Sequence, residues 1–182
     1  MESLFVSTGV VALAEIGDKT QLLAFLLAAR FKKPVPIILG ILLATLLNHG
    51  LAGALGAWIT HTVSPEVLRW VLGVSFIGMA VWTLIPDKIE EEESEIAQRF
   101  GVFGATLITF FLAEMGDKTQ LASIALGAKY QSDPNLSYYY GVFTVTLGTT
   151  LGMMGSNILA IFLGDQLLAR IPMKWMRALA SA

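Results

Sequence analysis

An eight-residue motif containing two carboxylates and a lysine occurs twice in the chain. Its copies are EIGDKTQL at residues 15–22 and EMGDKTQL at residues 114–121. Seven of the eight positions are identical. Each copy lies near the middle of a long apolar segment, where a charged side chain is costly and usually serves a function. The residues most able to do chemistry are therefore concentrated in these two motifs.

The carboxylates and amides of each motif are spaced to share one side of a continuous helix, because they lie three and six residues apart. The predicted stripes of oxygen ligands are Glu15, Asp18 and Gln21 in the first copy and Glu114, Asp117 and Gln120 in the second. Gly17 and Gly116 permit either the close approach of a neighbouring backbone or local unwinding of the helix. Two such helices could place four carboxylates around one point.

Oxygen-only ligation suits hard divalent cations such as Ca²⁺, Mg²⁺ and Mn²⁺, whereas zinc and copper favour His or Cys. The chain has no cysteine and two histidines. Four ionised carboxylates and the two motif lysines leave a formal charge of −2, which one divalent cation or two protons would neutralise. We therefore predict a site at Glu15, Asp18, Glu114 and Asp117 that exchanges one divalent cation for about two protons.

A purely structural role for the motifs is the alternative. Lys19 would then pair with Glu15, and Lys118 with Glu114, four residues apart on one helix. Two lysines cannot neutralise four carboxylates, and insertion scales assign about 2.5–3.5 kcal/mol to each charge at the centre of a membrane helix. The imbalance favours a functional site. The residues expected to support it are Lys19, Thr20, Gln21, Lys118, Thr119, Gln120 and Asn48.

Composition indicates that membrane helices position these residues. Of 182 residues, 55% are hydrophobic and 14% are charged, against about 25% charged residues in soluble domains. The net charge of −2 gives no sign of a nucleic-acid partner. Hydropathy predicts five spans, at 4–29, 35–60, 67–86, 100–128 and 137–163. No strand-like alternation competes, so the predicted fold class is an all-α polytopic membrane protein.

The end of the chain predicts the beginning of a sixth helix. Residues 171–182 resemble residues 64–70 at the start of the third span, since both have an early proline and a basic residue nearby. We expect six transmembrane helices with the sixth truncated in this sequence. A natural end at Ala182 would make the segment an interfacial helix instead. The N-terminus lacks the features of a cleaved signal peptide, so the first span is expected to be retained.

Basic residues predict the orientation of the spans. Eight Lys and Arg residues lie in the loops after the first, third and fifth spans, and two lie in the loops after the second and fourth. Positive loops stay in the cytoplasm, which places the N-terminus outside. Three spans per repeat invert the second repeat relative to the first. The predicted units are a first repeat at 1–86, an acidic cytoplasmic linker at 87–99, and a second repeat at 100–182.

Two inverted three-helix repeats are a common plan of secondary transporters, with the substrate site near the midplane. The linker is either a solvated connection or a segment that collects cations, and the sequence does not separate these roles. Polar residues of the second and fifth spans could complete the ligand shell or only bond helices together. They are Asn48, Thr146, Thr149, Thr150, Ser156 and Asn157. His49, in the second span, is either a hydrogen-bonded structural residue or a functional one, and His61 is expected in a loop. Glycines spaced by three or four residues predict close-packing faces, at Gly50, Gly53, Gly56, Gly148, Gly152 and Gly155.

The paired Glu-x-Gly-Asp-Lys-Thr motifs in spans one and four, with an acidic loop between them, resemble the Gdt-type family of Ca²⁺/Mn²⁺:H⁺ antiporters of the lysine exporter superfamily. The resemblance covers essentially the whole chain. It implies export of Mn²⁺ or transport of Ca²⁺, with Glu15, Asp18, Glu114 and Asp117 as cation and proton sites and no cofactor besides the transported ion. Small size and the lack of a targeting peptide favour the bacterial manganese exporters of the inner (plasma) membrane.

Two other classes compete with this interpretation. An intramembrane hydrolase would need two aspartates poised against each other, whereas each motif Asp follows a Glu by three residues and precedes a Lys. A structural assembly factor would keep its function after Asp18→Asn and Asp117→Asn. The sequence leaves open the choice between Mn²⁺ and Ca²⁺, the proton stoichiometry, and whether the protein forms a homo-oligomer in the lipid bilayer.

Overall fold

The computed structural model describes residues 2–16, 18–64, 92–131 and 137–168, together with several positions between 66 and 77. All regular structure in these residues is helical. Most of the predicted third span, the first part of the acidic linker and the predicted sixth helix lie outside the described residues, as does Gly17. The predictions for those segments stay predictions.

The first half of the chain contributes three described helices. They are α1 (Glu2–Glu15), α2 (Lys19–Phe31) and α3 (Pro34–Thr62). The chain turns between α2 and α3 where Lys32 adopts a left-handed φ of 51° and donates its backbone N–H to Ala28 O. Pro34 then begins α3, because its fixed φ suits the first helical turn and its missing N–H is not needed there. His61, expected in a loop, instead lies in the last turn of α3.

The second half contributes α4 (Glu92–Glu114), α5 (Lys118–Gln131) and α6 (Tyr138–Leu168). The end of the acidic linker is helical from Glu92 onward. Gly101 interrupts the helical path of α4 with φ 71° and ψ 177°, a conformation that glycine adopts most readily. This kink separates the polar start of α4 from its apolar part.

Two described helices are long and apolar enough to cross a membrane, at Pro34–Ile59 and Tyr138–Phe162. Phe100–Glu114 and Lys118–Tyr130 meet the same criteria together, as a pair bent by 70°, and would be a third span. These three segments coincide with the predicted second, fifth and fourth spans. An all-helical fold with two or three candidate membrane spans is thus confirmed for the described residues, whereas the full number of spans stays a prediction.

Each helix of the first half has an equivalent helix in the second half, and equivalent helices make equivalent contacts. α1 packs against α6, as α4 packs against α3. Likewise α3 packs against α5, as α6 packs against α2. α3 and α6 also contact each other. Replacing α1, α2 and α3 by α4, α5 and α6 therefore reproduces these contacts, as expected for a duplicated unit.

Pairs of contacting residues give the relative directions of the helices. α1 runs parallel to α6, α3 runs parallel to α4, and α3 runs antiparallel to α6. For α1 and α6 the pairs are Leu4 with Gly148 and Thr8 with Gly152. For α3 and α4 they are Gly40 with Phe103 and Asn48 with Phe111. For α3 and α6 they are Thr45 with Met153 and Gly53 with Thr146. It follows that α1 and α4, which each end in a motif glutamate, run in opposite directions.

Small residues let these helices approach closely. A Cβ atom on Gly148 would lie 2.6 Å from the carbonyl oxygen of Leu4, so α1 could not pack there against a larger residue. Gly152, Gly53 and Gly56 also lie against the backbone of neighbouring helices. These four positions confirm the predicted packing faces. Gly155 does not, because a Cβ there would have no atom within 4 Å among the described residues.

The apolar core lies between α2, α3, α4 and α6. Its largest fully buried members include Leu23, Leu27, Ile37, Ile41 and Phe110. Large apolar side chains also cover the outer surface of the helices, including Leu13, Leu55, Leu151, Leu159 and Phe162. An apolar exterior around polar buried residues is the arrangement expected of a protein surrounded by lipid.

Candidate cation site

Each motif occupies a break between two helices. Glu15 is the last residue of α1, and Asp18 is the N-cap of α2, with φ −80° and ψ 161°. Glu114 ends α4 in the same way, and Asp117 directly precedes α5. The prediction that each motif forms one stripe on a continuous helix is therefore wrong. Of the two possibilities considered for the motif glycines, local unwinding is the one found at Gly116.

The two breaks have matching backbone hydrogen bonds. Asp18 N donates to Glu15 O, and Asp117 N donates to Glu114 O, both at 3.1 Å. Gly116 has a φ of 81°, a left-handed value that favours glycine. Its N–H donates to the side-chain oxygen of Gln120 at 2.6 Å. Gln120 thus stabilises the break itself.

Three carboxylates converge between the breaks. Glu15, Glu114 and Asp117 each offer one oxygen, and these oxygens all lie within 4.8 Å of one another. Glu15 and Glu114 are fully buried, and Asp117 is 2% exposed. Asp18 is not part of this group, and its Oδ1 lies 2.9 Å from Lys118 Nζ of the other motif. The structure thus brings three of the four predicted ligands together and places the fourth beside them.

A threonine holds one oxygen of each glutamate. Thr20 Oγ1 donates to Glu15 Oε2 at 2.8 Å, and Thr119 Oγ1 donates to Glu114 Oε2 at 3.0 Å. Residues five apart would lie about 140° around a continuous helix. These hydrogen bonds therefore exist because the helices are broken, and periodicity alone gave no signal for them.

One oxygen of each motif carboxylate is buried without a hydrogen-bond partner among the described residues. These atoms are Glu15 Oε1, Asp18 Oδ2, Glu114 Oε1 and Asp117 Oδ2. A buried polar atom without a partner is unfavourable, and for an ionised group the penalty is larger. A hard cation or protons would satisfy such oxygens, and the oxygen-only donor set fits Mn²⁺ or Ca²⁺.

The helix ends at the breaks have opposite effects on a cation, since the N-terminal ends of α2 and α5 carry a partial positive charge. α1 and α4 end at Glu15 and Glu114, and the C-terminal end of a helix carries a partial negative charge. Asp18 occupies an N-cap position, yet its side chain makes no capping hydrogen bond. Its carboxylate is therefore available for interactions beyond its own helix.

The motif lysines reach across to the opposite motif. Lys118 Nζ lies 2.9 Å from Asp18 Oδ1, and Lys19 Nζ lies 4.0 Å from Asp117 Oδ1. The structural alternative had considered lysine pairing within one motif only. Pairing of each lysine with the aspartate of the other motif was not predicted, because the spacing of residues within one helix does not show which distant segments come into contact.

The other predicted residues have varied roles. Gln21 Nε2 donates to Ser156 O at 3.2 Å, and Asn48 Nδ2 donates to Phe111 O at 3.0 Å, one turn before Glu114. Both side chains therefore tie neighbouring helices to the site. His49 is fully buried on α3, and neither ring nitrogen has a hydrogen-bond partner among the described residues.

Several polar side chains of α6 form hydrogen bonds to backbone oxygens of α6 itself or of α1. Thr149 donates to backbone oxygens of its own helix, whereas Ser156 Oγ donates to Ala12 O of α1. Asn157 Nδ2 donates to Met153 O. Met115 is 55% exposed, so its side chain is not part of the buried carboxylate group.

The chain matches known proteins over nearly its whole length. The family model described as "Divalent cation/proton antiporter GDT1" matches residues 3–91 and 102–182. A protein of Vibrio cholerae serotype O1 named "Putative manganese exporter" is 50% identical over 177 residues, covering 97% of this chain and 84% of that protein.

Plant proteins are more distant relatives. "GDT1-like protein 3" of Oryza sativa subsp. indica is 27% identical and covers 93% of this chain and 66% of its own length. "GDT1-like protein 5" of Arabidopsis thaliana is 25% identical, and the match covers 90% of this chain and 86% of that protein. No solved structure matches the chain. The motifs, the helical membrane fold and these matches together show that the chain belongs to the GDT1 family of divalent cation/proton antiporters.

Proposed function

We propose that this chain exports Mn²⁺, with Ca²⁺ as the second candidate, in exchange for protons at a site formed by Glu15, Asp18, Glu114 and Asp117. The observation that carries the proposal is a buried oxygen on each of these four carboxylates that has no hydrogen-bond partner within the described part of the chain. Oxygen ligands favour hard cations. The Vibrio cholerae relative is named for manganese, which places Mn²⁺ before Ca²⁺.

Charge neutralisation explains why the two substrates would be exchanged. The four carboxylates and two motif lysines carry a formal charge of −2 when all are ionised. One Mn²⁺ or two protons neutralise it, and a buried site tolerates a net charge poorly. Each substrate therefore binds best after the other has left, with about two protons per divalent cation. Membership of an antiporter family makes the chain a transporter and removes the hydrolase alternative.

The surroundings of the site support its place in a transport cycle. The chain is a membrane protein, and the helices that end in Glu15 and Glu114 run in opposite directions. This direction is the one required if the two halves are inverted repeats with the site near the midplane. We place the protein in the bacterial inner membrane with its N-terminus outside and with no resident cofactor.

Flux measurements with aspartate variants test the proposal. In proteoliposomes with an imposed pH gradient, the wild type is expected to move Mn²⁺ with coupled proton movement. Asp18→Asn and Asp117→Asn should reduce this flux to the level of protein-free vesicles, because each removes a charge that the cation needs. Glu2→Gln is the matched control, since Glu2 is an exposed carboxylate at the start of α1.

The outcomes separate the candidate functions. Loss of Mn²⁺ flux in both aspartate variants with normal flux in Glu2→Gln supports one site built from both motifs. A wild type that moves Ca²⁺ but not Mn²⁺ would reverse the order of the two cations. A folded wild type that moves neither ion under any gradient would overturn the proposal.

A further inference from the structure

The two motif lysines lie at different distances from their aspartates. Lys118 Nζ is 2.9 Å from Asp18 Oδ1, which is a charge-assisted hydrogen bond. Lys19 Nζ is 4.0 Å from Asp117 Oδ1, which is too long for a hydrogen bond. The residues from the motif glycine to the motif leucine are identical in both copies. The difference therefore arises from the surroundings and conformation of the two motifs and not from these shared motif residues.

The two aspartates differ in the corresponding way. Asp117 contributes an oxygen to the three-carboxylate group with Glu15 and Glu114, whereas Asp18 does not. The side chain of Asp117 is 1% exposed, and that of Asp18 is 12% exposed. The aspartate that is hydrogen-bonded to a lysine is thus the one that lies outside the group.

Resting on the function proposed above, we propose that Lys118 and Lys19 withdraw Asp18 and Asp117 from the cation site in turn. In the state described here, Lys118 holds Asp18 while Asp117 joins the two glutamates. In the second state, Lys19 holds Asp117 while Asp18 joins them. An ammonium group and a divalent cation compete for the same carboxylate oxygens, so Asp18 Oδ1, which is held by Lys118, is not available as a ligand in this state.

The second state follows from the duplication of the fold. The contacts between helices are preserved when the two halves are exchanged, so the second state uses the same types of contact as the first. The side chains of Lys19 and Lys118 are 33% and 35% exposed, so either can move without opening the apolar core. Two states of similar free energy are what an alternating-access cycle requires, with the site opening toward opposite sides of the membrane.

A matched pair of lysine variants tests this exchange. Lys118→Gln and Lys19→Gln each remove one positive charge at equivalent positions. Uptake of radioactive Mn²⁺ into right-side-out and inside-out membrane vesicles gives the half-saturating concentration at each face. Lys118→Gln should favour the state in which Lys19 holds Asp117, and Lys19→Gln should favour the opposite state. The ratio of the two half-saturating concentrations should shift by about fivefold or more, in opposite directions.

The double variant and the wild type make the result decisive. Lys19→Gln/Lys118→Gln should return the ratio close to that of the wild type, because both biases are removed. Equal shifts, or no shift, in the two single variants would overturn the exchange while leaving the cation site intact. Failure of wild-type vesicles of both orientations to take up Mn²⁺ would overturn the proposed function and the exchange with it. If the glutamine variants do not accumulate in the membrane, Lys19→Met and Lys118→Met provide the same comparison.

Discussion

At the scale of single residues, each motif glutamate has two oxygens with different roles. One accepts a hydrogen bond from a threonine, and the other is buried without a partner in the described part of the chain. The first oxygen fixes the orientation of the carboxylate, since a hydrogen bond to a charged group contributes about 1.5–3 kcal/mol. The second oxygen is left for the transported ion. Orienting the glutamates in this way lowers the conformational cost of binding a cation.

Replacing the motif threonines by valine should weaken cation binding. Thr20→Val and Thr119→Val keep the side-chain volume but remove the donor to Glu15 or Glu114. We expect the Mn²⁺ affinity to fall by about tenfold, a change of about 1.4 kcal/mol. Thermal unfolding of purified protein at increasing Mn²⁺ concentration measures it. Thr109→Val is the control, because Thr109 donates to backbone oxygens of its own helix. Equal effects at all three positions would exclude an orienting role.

At the scale of helices, close packing supports the two breaks. α1 can end at Glu15 beside the second motif because it packs closely against α6 at Gly148 and Gly152, where the two backbones are in contact. Ser156 Oγ then donates to Ala12 O near the end of α1. Within a membrane, helices associate by such close contacts and interhelical hydrogen bonds, since lipid supplies little hydrophobic driving force. The position of Glu15 thus depends on residues of α6.

An alanine at Gly148 should destabilise the protein. Its Cβ would lie 2.6 Å from Leu4 O, and a backbone atom cannot rotate away. Overpacking of this kind costs about 1–3 kcal/mol. The melting temperature of Gly148→Ala in detergent should fall below that of the wild type. Gly155→Ala is the control on the same helix, because a Cβ there meets no described atom within 4 Å. A similar fall for Gly155→Ala would argue against the contact with α1.

At the scale of the whole molecule, the two halves form one site from opposite directions. α1 and α4 run antiparallel, and their final residues meet in the carboxylate group. Each half contributes only two motif carboxylates to the proposed site of four. A single half would also leave its motif charges without the lysine of the other motif. The duplicated motif therefore supplies half of the proposed ligands, in addition to its role in the fold.

Labelling of introduced cysteines should reveal the inversion, since the chain has no cysteine of its own. Lys33 precedes α3 and Ser137 precedes α6, and both are exposed. A membrane-impermeant maleimide should label Ser137→Cys and Ser64→Cys in intact cells, but Lys33→Cys only after permeabilisation. This is the result expected if positive loops stay in the cytoplasm. Labelling of Lys33→Cys and Ser137→Cys from the same side would contradict inverted repeats.

Several features of the site were predictable from the sequence because they depend on residue type and local hydropathy. Glu15, Asp18, Glu114 and Asp117 stand out because buried charges in apolar segments are costly. Their oxygen chemistry favours hard cations wherever the helices lie. The second, fourth and fifth spans were located by hydropathy and agree with the described helices. The three- or four-residue spacing of glycines located Gly148 and Gly152, which pack against α1, but it also included Gly155, which does not pack against a described residue.

Other features were decided by the tertiary structure, because they depend on contacts between segments about a hundred residues apart. The sequence predicted one continuous helix at each motif, whereas the structure has a break at each. Helix propensity does not include the contacts with other helices that stabilise an unwound motif. The threonine hydrogen bonds follow from the breaks. The pairing of Lys118 with Asp18, and the position of Asp18 beside the three-carboxylate group, follow from how the two halves meet. The sequence by itself therefore determined which groups are present and what they can bind, whereas their grouping required the packed helices.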